Sequence, residues 1–301
     1  MIDSETKKKT TSKTTKNSIG SAAGATGDSF LTFSGSEDLG DGMKARFKIE
    51  PRVGVNGIDS KTALFGGNRE AWLGLSGAFG SVNIGNNYTP LALYVVFPFD
   101  PNGTSNAGGY LVTNNATFSA GNSIAYTAPT FVEGLSLQAN VNKAGSATDD
   151  GDSTGWGLHY HAGAISAGLA GETTQNSQVS PIGLLPFGSK TKDVEKLGYA
   201  LGYDFGMAKI TLNSINTKQD SSKFDTVGYG ISVPVGAITL KASMSNATKK
   251  DTTTTKYDGY QLGANYALSK RTSAYFLLGN LKDKSDSSTY NQTSLGFVHN
   301  F

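Results

Sequence analysis

The last stretch of the chain, Ser288 to Phe301, leaves few folds open. It reads STYNQTSLGFVHNF and ends on an aromatic residue. Leu295, Phe297, His299 and Phe301 share one parity, while Ser294, Gly296, Val298 and Asn300 share the other. Alternation with period two marks a half-buried strand. A segment of about ten residues also suits a tilted membrane-spanning β-strand. An apolar strand at a chain end is an exposed edge that invites aggregation, and closing a barrel removes that edge. The stretch is therefore read as a closing strand, which implies that hairpins fill the chain before it.

The rest of the sequence is compatible with that reading. No run of eighteen apolar residues occurs, so the sequence predicts no transmembrane helix. Apolar residues make up 37% and are dispersed, as alternating strands require. Glycine is abundant at 38 and proline rare at 8. With no cysteine there are no disulfides, thiolate metal sites or cysteine nucleophiles. A net charge of +2 is too small to point to nucleic acid.

Residues 1–27, rich in Lys, Thr and Ser, read as a solvated loop. Phe30, Leu31 and Phe33 open the first clear strand, and the polar run Gly35 to Gly42 reads as a tight turn. In Met43 to Val53, Met43, Ala45, Phe47 and Ile49 fall on one face. Lys44, Arg46, Lys48 and Glu50 fall on the other, which needs water or counter-charge: a solvated outer surface or the wall of an aqueous pore. Hairpins then follow one another to the end of the chain. Tight turns, as at Asp204-Phe205-Gly206 and Leu268-Ser269-Lys270, alternate with longer polar loops, as at 144–154 and 173–195. Short turns at one end and long loops at the other are the pattern of outer-membrane barrels. Residues 87–121 break the rhythm with no clean period, yet their aromatic and aliphatic content argues against disorder. Fifteen strands are counted, the closing one included. Single-chain bacterial barrels use an even number, so one more strand is expected before residue 28.

These features resemble the trimeric, sixteen-stranded general porins of Gram-negative outer membranes. The resemblance is carried by Gly35-Ser36-Glu37-Asp38-Leu39-Gly40-Asp41-Gly42-Met43-Lys44-Ala45, by Leu75 to Val82, by Ala267 to Thr272 and by Gly296 to Phe301. It implies an all-β fold: one antiparallel transmembrane barrel over residues 1–301, sixteen strands in the native protein. Met1-Ile2-Asp3 then looks like the end of the first strand, with a signal peptide and most of that strand expected to be absent from this chain. Residues 4–27 would form the first external loop. The resemblance further implies that segment 87–121 folds into the lumen as a constriction loop, its one acidic residue being Asp100. Arg69 matches one of the family's wall arginines and Lys44 a nearby lysine. Phe30, Asn86 and Ser119 stand where relatives often carry arginine. A homotrimer is implied, with loop 54–68 reaching a neighbour, and outer-membrane lipid around it.

The expected lumen residues are thus Lys44, Arg46, Lys48, Arg69 and Asp100, with Phe297 and Phe301 on the closing strand as an assembly signal. Asp100 in Phe-Asp-Pro could equally serve a turn. His159 and His161 share a face, but no third ligand lies nearby, so no metal is expected; a place at the membrane interface beside Trp156 and Tyr160 is the expectation instead. No nucleophile elbow or phosphate loop occurs, and neither an enzyme nor a cofactor is expected. Two functions stay open to the residues: a passive, mildly anion-preferring diffusion channel, and a glycan-binding or adhesive β-protein without a channel.

Overall fold

In the computed structural model, which describes residues 2–9, 12–19, 29–53, 65–103, 109, 116–145, 151–177 and 192–301, seventeen strands form one sheet. They are β1 (Ile2–Lys9), β2 (Ser12–Ile19), β3 (Phe33–Gly40), β4 (Met43–Val53), β5 (Phe65–Gly77), β6 (Gly80–Tyr88), β7 (Ser119–Thr127), β8 (Leu135–Asn142) and β9 (Ser153–Ala162). There follow β10 (Ile165–Thr174), β11 (Val194–Asp204), β12 (Lys209–Gln219), β13 (Ser222–Val235), β14 (Ile238–Lys250), β15 (Thr254–Ala267), β16 (Thr272–Asp283) and β17 (Thr289–His299). From β3 to β17 each strand pairs with the next, and every step is antiparallel. β17 also pairs with β1, with Ile2 opposite Leu295, and β1 with β2, so one continuous ladder runs from β3 through β17 and β1 to β2.

The start of the chain corrects two expectations. Residues 2–9 and 12–19, read as strand end and loop, are two strands, β1 and β2, that pair antiparallel. The described strands number seventeen rather than sixteen. Counting antiparallel steps through β17 and β1 leaves β2 and β3 running in the same direction. An odd number of strands cannot all alternate around a ring. The hairpin escapes a period-two reading because both of its faces are polar: Ser4, Thr6 and Lys8 on one parity of β1, Glu5, Lys7 and Lys9 on the other.

The two faces of the sheet differ as the alternation requires. Along β11, Leu197, Tyr199, Leu201 and Tyr203 are exposed, whereas Val194, Lys196 and Ala200 are buried on the other side. On β4, Phe47 and Ile49 are exposed while Glu50 is only 4% exposed. Leu31, Phe33, Leu73, Leu75, Leu295 and Phe297 belong to the exposed apolar set, as do Tyr203, Tyr266 and Phe301 near the tight turns. Glycines on this face are covered by rings from the neighbouring strand: Phe47 lies across Gly35, and Trp156 across Gly171. The β3–β4 turn is possible because Gly40 and Gly42 take φ of 85° and 74°, where a side chain is strained.

Candidate functional site

The segment between β6 and β7 is rooted by its own backbone. The Thr89 N–H donates to the Phe118 carbonyl at 2.9 Å, and the Thr89 hydroxyl donates to the Thr117 carbonyl. That hydroxyl also accepts from the Ala92 N–H at 3.2 Å, at the start of a helical turn, Ala92–Val96, that runs on into a 3₁₀ turn, Phe97–Phe99. Leu91, Val95, Val96 and Phe99 bury themselves against Ala170, Ala200 and Ile215 of β10, β11 and β12. The wall is cut back to glycine where the segment comes closest. A Cβ on Gly157 would meet Pro90 and Tyr94, one on Gly168 would meet the Tyr94 carbonyl, and one on Gly230 would meet Pro101. Farther along, Asn102 donates to the Ser243 hydroxyl of β14 at 3.1 Å. The described part of the segment thus lies along the sheet face opposite the exposed apolar residues.

On that same inner face β4, β5 and β6 gather a charged cluster. Lys44, Arg46, Lys48 and Glu50 share it by parity, and register adds Trp72, opposite Lys48, and Glu70, opposite Glu50. Arg69 has the wrong parity in an unbroken strand. The register shifts between Glu50 and Pro51, which pair with Glu70 and Asn68 and leave Arg69 as an extra residue. A bulge of this kind re-aims a side chain. Arg69 Nε lies 2.9 Å from Glu50 Oε1, donates to the Tyr88 hydroxyl at 2.8 Å, and its guanidinium sits 3.9 Å from the Phe30 ring centre. Phe30 thus forms a cation–π shelf for Arg69. Lys48 bridges both carboxylates, 3.1 Å from Glu50 and in direct contact with Glu70. The Trp72 indole donates to Glu70 at 3.1 Å, and Arg46 lies over that indole while donating to Asn83 at 3.4 Å. Lys44 is exposed and in no ion pair among the described residues. Tyr88 in turn stacks edge-on against Phe97 of the loop, with centroids 5.2 Å apart.

Asp100 is placed differently from the four bases. It is 7% exposed, its Oδ1 accepts from the Asn102 N–H at 3.0 Å, and Lys241 of β14 lies within its electrostatic reach. This is the turn role its Phe-Asp-Pro setting allows. His159 and His161 are not beside Trp156 and Tyr160: odd and even residues of β9 face opposite ways, and Trp156 and Tyr160 are on the exposed side. The imidazoles stack on each other at 6.5 Å, and His159 also stacks on Tyr94 of the loop at 5.8 Å. Sequence reasoning missed Glu70, whose role follows only from the register that sets it opposite Glu50. No cluster of three or more potential metal ligands occurs among the described residues.

Comparison with known proteins follows the same lines. A family model described as Gram-negative porin matches residues 1–286. The chain is similar to outer membrane porin protein 32 of Delftia acidovorans, 30% identical over 279 residues, covering 86% of this chain and 75% of the relative. It is also similar to the major outer membrane protein P.IB of Neisseria meningitidis serogroup A, 26% identical over 289 residues, covering 90% and 82%. Among solved structures, an anion-selective porin from Comamonas acidovorans superposes with a TM-score of 0.76 at 22% identity, covering 100% of this chain and 99% of that one. The trimer form of OmpT from Vibrio cholerae gives 0.69 at 13% identity, covering 98% and 96%. These structural likenesses establish the barrel fold.

Proposed function

This chain belongs to the Gram-negative porin family and is an outer-membrane β-barrel, a channel rather than an enzyme, for passive diffusion of small hydrophilic solutes and ions; we propose that the β4–β6 cluster and the segment 87–121 form its constriction and give it a mild preference for anions. The whole of residues 1–301 then makes one barrel, with the loop narrowing it from inside. The observation that carries the reading is the bulge at Arg69, which brings that residue onto the same inner surface as Lys44, Arg46 and Lys48. Four bases face three carboxylates, Glu50, Glu70 and Asp38, the last opposite Lys44, so positive charge remains in excess. Rings of basic side chains favour anions. Asp100 contributes less than its sequence position implies, because it is buried and set toward Lys241. The Comamonas protein of like fold is an anion-selective porin, which fits this direction.

Glu70 is the lever on the balance. Glu70→Gln keeps an acceptor for Trp72 but removes one of the three opposing charges. It is expected to move the zero-current potential across a KCl gradient further toward the anion limit. No movement, or movement toward the cation limit, would place Glu70 outside the conducting path.

We also propose that the channel is a homotrimer surrounded by outer-membrane lipid. Exposed apolar residues on β3 to β5, among them Phe33, Phe47, Leu73 and Leu75, supply a surface for a neighbour and for lipid, and OmpT, of like fold, has a trimer form. Most of loop 54–68, expected to reach a neighbour, lies outside the described residues. Cross-linking in native-like detergent should give a trimer band; monomer alone would refute the assembly.

A further inference from the structure

Away from the charged strip, the root of the inward loop is inserted into a buried ion pair. Glu172 of β10 and Lys196 of β11 stand directly opposite each other in the ladder, both on the inner face. Lys196 Nζ lies 2.8 Å from Glu172 Oε1, and the two side chains are 7% and 4% exposed. The Thr117 hydroxyl completes the group: it donates to Glu172 Oε1 at 2.6 Å and accepts from Lys196 Nζ at 2.9 Å. Thr117 is also the residue whose carbonyl receives the Thr89 hydroxyl, so this one position ties both limbs of the loop to the wall. Glu172 Oε2 is buried without a hydrogen-bond partner among the described residues, which leaves Lys196 as the main compensation for that carboxylate.

We propose that Lys196 is a positioning residue of the channel: its pair with Glu172, closed by Thr117, fixes the root of the loop against β10 and β11 and thereby fixes the cross-section of the passage. The physical reason is the asymmetry of buried pairs. Removing one partner strands a charge in a poorly solvated place, whereas replacing both by apolar groups of similar size is often tolerated. After loss of Lys196, the carboxylate can be solvated only if water enters between the loop root and the wall. The loop then samples more than one position. The proposal uses the loop's place inside the barrel and does not depend on the charge of the β4–β6 cluster.

The test is single-channel recording in planar bilayers with the refolded full chain, folding being checked by heat-modifiable gel migration. Wild type is expected to show one open level per pore, repeated in equal steps in the proposed trimer. Lys196→Met is expected to lose that single level and show sublevels with raised open-channel noise, and Lys196→Met/Glu172→Leu is expected to regain it. A single wild-type level in Lys196→Met, or sublevels that persist in the double variant, would overturn the proposal. Should Lys196→Met fail to fold, Thr117→Val decides: raised noise is expected, and wild-type noise would overturn it. The sign of the zero-current potential, read from the same channels, reports separately on the charged strip.

Discussion

Replacing Lys44 and Arg46 together by glutamate is expected to reverse the ion preference of the channel. Residues two apart on a strand lie about 6.6–6.8 Å apart on one face. Successive members of the set Lys44, Arg46 and Lys48 are therefore spaced by less than a Debye length, about 10 Å at 0.1 M salt, and their fields overlap. Low-dielectric walls concentrate those fields in a narrow lumen. The wild-type cluster sets four bases against Glu50, Glu70 and Asp38. The double replacement leaves Lys48 and Arg69 facing five carboxylates, which inverts the balance. Lys44 and Arg46 are the positions to choose because neither is in an ion pair among the described residues. Lys48 and Arg69, by contrast, hold buried Glu50 in place, and their loss would disturb folding as well as charge. The zero-current potential across a KCl gradient should change sign, and high salt should shrink it in both proteins. An unchanged sign would remove the strip from the conducting path.

Phe47→Arg is the second large effect, and it acts on assembly. Phe47 is on the exposed apolar face of β4 and covers Gly35 of the neighbouring strand. An arginine on the lipid face costs about 2–4 kcal/mol near the bilayer midplane. Loss of the ring over Gly35 adds to that. Thr32→Arg is the control, because Thr32 donates to Glu50 at 2.8 Å and so stands on the charged side. Folding yield into lipid, read by heat-modifiable migration, should fall sharply for Phe47→Arg and little for Thr32→Arg. Equal yields would contradict the assignment of the two faces.

What could be read from the residues follows from where polarity alternates. β4 and β17 are legible because one face is apolar and the other is not, and the strands from β4 to β17 lie about where that pattern places them, whereas β3 runs on to Gly40 through the polar run read as a turn, which is confined to Asp41 and Gly42. Their outer ends are less legible. β14 continues to Lys250 and β13 begins at Ser222, where both faces are polar and the period vanishes. The β1–β2 hairpin is the extreme case, polar on both faces apart from the Ile2–Ile19 pair at its open end. The lumen is legible only in part. Parity gives Lys44, Arg46 and Lys48 from β4 alone, but Arg69 needs the bulge and Glu70 needs the register, both properties of paired strands. Glu172 and Lys196 are twenty-four positions apart and meet only through the β10–β11 ladder. The histidines of β9 show the converse: their parity is in the sequence, and it places them opposite Trp156 and Tyr160.

A water-filled lumen that passes ions along a net-positive wall is tested most directly by a planar-bilayer recording of the refolded, heat-modifiable full chain under a KCl gradient. Discrete conductance steps are expected, with a zero-current potential modestly on the anion side that declines as salt is raised. Folded protein that inserts without discrete steps, or steps that are clearly cation-selective, would contradict such a lumen.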